Sequence, residues 1–114
     1  IASQKIEPYI ILGDFNALTR TDYSDSEWVN ISKIRKENKW EMPKTILTEM
    51  IAKSKHIDCL QKYGKVSPTC RFDTRVDYIF INEILENSLC DIETQVHANK
   101  GSDHKPVVMN FKII

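Results

Sequence analysis

No stretch of this chain approaches the roughly 20 consecutive apolar residues that cross a bilayer, and no basic-then-apolar leader opens it, so we expect no membrane segment. Net charge is missing too. Sixteen basic residues balance sixteen acidic ones, which argues against holding nucleic acid by an overall positive field while leaving a local groove open. Cysteine is scarce and unpaired in pattern. Cys59, Cys70 and Cys90 are odd in number, form no Cys-x-x-Cys pair and have no histidine at metal-finger spacing. A disulfide framework and a structural zinc site are therefore not indicated, and reduced thiols with an intracellular location are expected. Internal repeats, linkers and low-complexity segments are absent as well. With 114 residues and 41% hydrophobic content, the chain suits one globular domain.

What is present is a series of short apolar runs ending in polar clusters. Glu7 to Leu12, opening with Pro8, has the continuous apolar character of a buried strand ending at Gly13. Ser24 followed by Glu27 fits a capping box, and Trp28, Ile31 and Ile34 follow at helical spacing, predicting a helix from about Asp25 to Asn38. Pro43 favours a new first turn, with Ile46, Leu47, Met50 and Ile51 as the apolar stripe of a second helix ending near Lys55. Ile57 to Tyr63 reads as a short turn or helix stopped at Gly64, and Lys65 to Thr74 as a loop. Val76 to Ile81 alternates as a strand, and Asn82 to Asn87 reads as a turn or helical edge. Ile92 to Ala98 is a further strand, Asn99-Lys100-Gly101 a turn, and Val107 to Ile113 a final strand with Val107, Met109, Phe111 and Ile113 on one face.

Three of the polar clusters carry chemistry. Gly13-Asp14-Phe15-Asn16 follows the first strand, Arg75-Val76-Asp77-Tyr78-Ile79-Phe80 opens a middle one, and Ser102-Asp103-His104-Lys105-Pro106 precedes the last. Together they place carboxylates, an amide and an imidazole at strand ends, a set suited to phosphate and metal chemistry. Taken alone, Asp14 and Asn16 are better read as closing a turn, as Asx residues often do.

In this order the three motifs closely resemble the C-terminal half of the endonuclease/exonuclease/phosphatase superfamily, whose fold is like that of DNase I. The likeness runs from Tyr9 to Phe111, and the stretches Gly13 to Tyr23 and Ser67 to Phe80 look most like uncharacterised members. It implies an α/β fold, the C-terminal half of a DNase I-like four-layer α/β sandwich, mostly antiparallel sheet with flanking helices. The family's first half supplies an asparagine and a glutamate that hold the metal, plus an upstream catalytic histidine or tyrosine, and those motifs are not in this sequence. Residues 1–114 are therefore expected to form the C-terminal half of a single domain, the N-terminal half belonging to the same chain or a separate one. An opening Ile1 in place of methionine fits an upstream segment that has been removed. A face made by Ile10, Leu12, Val107 and Met109 would normally be covered by that half. Bare, it would be prone to association.

The resemblance implies a Mg²⁺- or Mn²⁺-dependent phosphoesterase. Asp14 would orient and deprotonate the attacking water, and Asn16 would donate its amide to a phosphate oxygen. His104 would contact or protonate the phosphoryl oxygen while Asp77 holds its other ring nitrogen. Asp103 is either a metal ligand, as in some members, or a capping aspartate. Arg75 either binds phosphate or, by slight preference, ties down its loop through carboxylates, and Thr69 would contact the substrate backbone. His56 and His97 fall outside the motifs. Trp28 and Trp40 with Lys33, Arg35, Lys36 and Lys39 would suit stacking on a nucleotide, but their spacing with Glu37 and Glu41 favours a solvated helix with a core-facing Trp. Nucleic-acid phosphodiester hydrolysis is the first expectation, a phosphatase acting on an inositol phosphate or sphingolipid the next. A non-catalytic interaction half-domain is the reading from another class. By itself the chain is expected to have little or no activity.

Overall fold

The computed structural model describes residues 6–99 and 101–114. The first strand, β1 (Ile10–Asp14), leads through a single 3-10 turn at Arg20–Asp22 into helices α1 (Asp25–Glu37) and α2 (Ile46–Lys53). A two-residue strand β2 (Ile57–Asp58) and helix α3 (Cys59–Tyr63) precede β3 (Asp77–Ile81). Helix α4 (Glu83–Asn87), β4 (Leu89–Val96) and β5 (Val107–Ile113) complete the order. The fold is mixed α/β with antiparallel pairing: one sheet has the order β1-β3-β2, and β4 and β5 form a second.

The sheet register sets up the site. Ile10 lies opposite Ile81, Leu12 opposite Ile79, and at the end of the ladder Asp14 opposite Asp77. Phe15 continues the β1 alternation onto the other face, where its ring stacks on Tyr78 and Phe80 with centroids 5.6 and 5.7 Å away. Its amide donates to the Val76 carbonyl at 2.9 Å, carrying the pairing one step past the strand.

Two apolar clusters anchor the elements. Leu18, Ile31 and Val76 pack with Tyr23, Trp28 and Cys70, joining α1 to the approach to β3. Cys59, Ile81 and Leu89 pack with Ile57, Ile79, Leu85, Ile92 and Met109, joining the two sheets. Burial, with nearby Asp58 and Glu86, pushes the Cys59 thiol up to about 12, so it behaves as an apolar residue.

Helix α1 starts as its sequence dictates. Ser24 Oγ accepts from the Glu27 amide and Glu27 Oε1 from the Ser24 amide, a complete capping box. The helix ends where expected, at Glu37 with Asn38 as its cap, although the residue that turns the chain is lysine. Lys39 takes φ +57°, its amide donates to the Lys36 carbonyl, and the Trp40 amide donates to Arg35 at 2.8 Å. That is a Schellman stop with Lys39 where glycine is usual.

Several expectations are corrected. β1 begins at Ile10 and includes Gly13 and Asp14, and it is not buried: Leu12 is 65% exposed. It is paired only through β3, so its apolar side chains meet little on their own face. Helix α2 starts at Ile46 after Thr45, not at Pro43, because the Lys44 carbonyl is taken by the Leu18 amide at 2.8 Å. Its stripe also faces outward. Ile46, Leu47 and Met50 are exposed, and the residue that docks is Thr48, whose hydroxyl donates to the Leu18 carbonyl at 2.8 Å. β4 begins at Leu89, three residues early, with Asp91 at φ +51° inside an irregularity in its pairing with β5. Of the expected turn at 99–101, Lys100 lies outside the described residues.

Candidate functional site

A cleft of about 420 Å³ opens where β1, β3 and the approach to β5 meet, lined by Leu12, Asp14, Asp77, Asn99, His104 and Pro106 among others. Three of the residues singled out in the sequence converge there. His104 Nδ1 lies 2.9 Å from Asp77 Oδ2, and His104 Nε2 lies 3.9 Å from Asp14 Oδ2. Asp14 and Asp77 are cross-strand partners, and like charges in that relation destabilise a sheet by about 0.2–1 kcal/mol. The imidazole between them offsets this. Its hydrogen bond to Asp77, with the charges of Asp77, Asp14 and Asp103, raises the His104 pKa above its ordinary value despite some desolvation.

Backbone geometry aims the polar groups. Gly13 sits at φ +145°, a conformation side chains rarely adopt, just before Asp14. Asp14 Oδ1 accepts from the Asn16 amide at 2.9 Å while Asn16 takes φ +46°, an Asx-type turn that leaves its own side chain exposed. Asp14 and Asn16 thus do close a turn, and both remain free to face solvent.

Thr69 does not face the cleft. It is fully buried, and its hydroxyl oxygen accepts from the Val76 and Asp77 amides at 3.0 and 3.2 Å. Its role is to fix the start of β3, and its carbonyl does the same for the His104 segment by accepting from the Lys105 amide at 2.8 Å. Arg75 is likewise withdrawn, with 1% of its side chain exposed. Its Nε donates to Asp22 at 2.7 Å and its Nη1 to Asp58 at 2.9 Å, and its plane lies 4.6 Å from the Tyr78 ring centroid. Burial works against the charge, but the bonds from Asp58 and Asp22 prevail and raise the pKa. The carboxylate tie is what the structure holds. A phosphate in solution has no access to this guanidinium.

Asp103 is exposed, 3.7 Å from Arg71 Nε. Two groups have ligand atoms within 4.8 Å of one another, Asp14 with Asp77 and His104, and Cys70 with Asp103 and His104. The first offers hard carboxylate oxygens of the type Mg²⁺ or Mn²⁺ takes; the second contains a thiol, which such ions do not favour. Asp14 and Asp77 therefore fit a hard cation better than Asp103 does. His97, which is exposed, and His56, which contacts the Tyr9 hydroxyl, do not line this cleft.

Sequence reasoning missed three supports. Phe15 pins the motif to the opposite face, legible in hindsight from the period-two alternation Asp14-Phe15-Asn16. Tyr78 holds the loop from beneath: its hydroxyl lies 3.0 Å from the carbonyls of both Ala17 and Arg75. Cys70 Sγ stands 3.8 Å from His104 Nε2, with no local signal for it in the chain. Comparison of the chain with protein-family models, with curated proteins and with solved structures found no match.

Proposed function

We propose that the Asp14, Asn16, Asp77 and His104 constellation is a phosphoester-hydrolysis site, with phosphodiesters of nucleic acid as the first substrate class. One observation carries this: an imidazole held at Nδ1 by Asp77 while its Nε2 faces a second carboxylate in an open cleft. A sheet gains nothing structurally from Asp opposite Asp, so the pair with its histidine is a candidate for chemistry. In this reading Asp77 orients His104 and keeps it protonated to higher pH. His104 Nε2–H then donates to the phosphoryl oxygen as charge develops there, Asp14 aims and deprotonates the attacking water, and Asn16 donates its amide to a phosphate oxygen. Asp14 and Asp77 would also hold a Mg²⁺ or Mn²⁺ ion, which when bound stabilises charge on the phosphoryl group. Two carboxylates leave much of a six-oxygen shell to be filled, which is consistent with a complementing half, in the same chain or another, supplying further ligands.

The test is turnover of a fluorescent oligonucleotide, an inositol phosphate and a sphingomyelin by this chain joined to its complementing half, with Mg²⁺ or Mn²⁺. Cleavage of the oligonucleotide is expected. Turnover of the inositol phosphate or the lipid alone would move the substrate class, and no turnover of any of them would defeat the reading. A second reading, a non-catalytic interaction half-domain, draws support from the exposed Ile10 and Leu12 on β1. It leaves the Asp77–His104 pair without a purpose.

A further inference from the structure

A second cleft, of about 290 Å³, lies beside the first and is unlike it. Trp40, Phe72, Ile31 and Ile34 give it apolar walls, and Arg35, Arg71, Glu41 and Asn16 give it a polar rim. The Trp40 and Phe72 rings meet at 5.1 Å between centroids, tilted by 54°, yet they remain 41% and 47% exposed. The Arg71 guanidinium stands 5.9 Å from the Trp40 ring centroid. Both aromatic rings are delivered by backbone that is costly to hold. Trp40 follows Lys39 in the left-handed stop of α1, and Phe72 and Asp73 both sit at φ +58° in a tight loop closed by the Cys70–Thr74 bridge. A bulky residue at positive φ costs about 1 kcal/mol or more, and such strain gathers at functional positions.

The two clefts have no lining residue in common, but two residues link them. Asn16, placed at the phosphate site, lines this cleft, and so does Cys70, whose sulfur is 3.8 Å from His104 Nε2. At about 290 Å³ the cleft lies just under the about 300–1,000 Å³ of small-molecule sites, a size for one flat ring system and not for two. Exposed aromatic rings with an arginine over one of them form a stacking platform, and the donors and carboxylate at the rim suit the edge of a heteroaromatic ring. An acyl chain would leave that rim unused.

We propose that the Trp40–Phe72 cleft binds the nucleobase adjoining the phosphate, so that the substrate carries a nucleotide. This rests on the phosphate site proposed above, and the two can fail separately. The chain has only two tryptophans, so the indole N–H signals of Trp40 and core-packed Trp28 report separately in NMR. AMP and ribose 5-phosphate are titrated into the protein with Mg²⁺ present. AMP should bind about 5- to 150-fold more tightly, the increment a stacked base gives, moving the Trp40 signal and not that of Trp28. Trp40→Ala, and Phe72→Asn, which keeps a residue tolerant of positive φ, should each reduce that preference while ribose 5-phosphate binding persists. Equal affinity for the two ligands, or a Trp40 signal that stays still, overturns the base site and leaves the phosphate site standing. AMP binding that moves Trp40 but is indifferent to His104→Gln supports the base site and overturns the phosphate site. Binding of neither ligand at millimolar concentration overturns both.

Discussion

At the residue scale, the polar groups of the motifs divide into those that face water and those consumed by the fold. His104 belongs to the first kind. Its bond to Asp77 raises its pKa, so in metal-free buffer an NMR titration should place its midpoint above the ordinary imidazole value of about 6.5. Asp77→Asn should bring the midpoint down. The linkage has one sign: the contribution of this pair to stability is full below the unfolded-state pKa and is lost as pH rises through the raised folded value. A midpoint unmoved by Asp77→Asn would deny the pairing. Arg75 belongs to the second kind. Its motif position is two residues before Asp77, and nothing local in the sequence reveals that Asp22 and Asp58, distant in the chain, close on its guanidinium. Arg75→Ala should leave two carboxylates uncompensated in a buried setting and cost about 3–5 kcal/mol in urea unfolding. A loss below about 1 kcal/mol would mean that this carboxylate tie does not hold the fold together.

At the element scale, legibility followed the range of the interactions involved. The capping box of α1 is written within four residues, and it formed as read. The final strand alternates plainly and was found at Val107–Ile113. The stripe of α2 also reads clearly, but periodicity says only that one face is apolar, not what will cover it. Here the docking contact is the Thr48 hydroxyl on the Leu18 carbonyl, and the stripe is left in water. The start of β3 depended on a loop residue eight positions earlier, Thr69, whose oxygen receives two amides, one buried and one partly buried. Thr69→Val should strand both. Each unsatisfied buried group costs about 1–3 kcal/mol, and the register of Asp77 against His104 should loosen with them. Thr69→Ser should restore most of the stability in thermal melts; if valine is tolerated as well as serine, the hydroxyl is not what fixes the strand.

At the scale of the whole molecule, the chain is thin. Its extents are 50 × 38 × 23 Å, and the shortest has space for two packed layers of about 10 Å each rather than four. The radius of gyration, 15.8 Å, exceeds the value of about 13 Å for a compact domain of this length. Among the described residues no helix is long and apolar enough to cross a membrane. Exposed apolar side chains are grouped instead, with Ile10 and Leu12 on β1, Phe111 and Ile113 on β5, and Ile46, Leu47 and Met50 on α2. Sedimentation at rising concentration should show mass above 13.3 kDa, and replacing Ile46 and Met50 together with lysine should reduce it. A monomer at every concentration would mean that these faces do not drive association. The three motifs pointed to the site because each sits at a strand end. The neighbouring aromatic cleft was hidden because Trp40 and Phe72 are brought together only by turns at Lys39 and at Phe72 itself.

The most direct test of the central claim is oligonucleotide cleavage in Mg²⁺ by this chain joined to the complementing half proposed above, wild type beside Asp77→Asn and His104→Gln. Cleavage by the wild type that falls about 100-fold or more in each variant is predicted, the loss that follows removal of a positioned acid or its orienting carboxylate. Variants that cleave as well as the wild type would contradict the account.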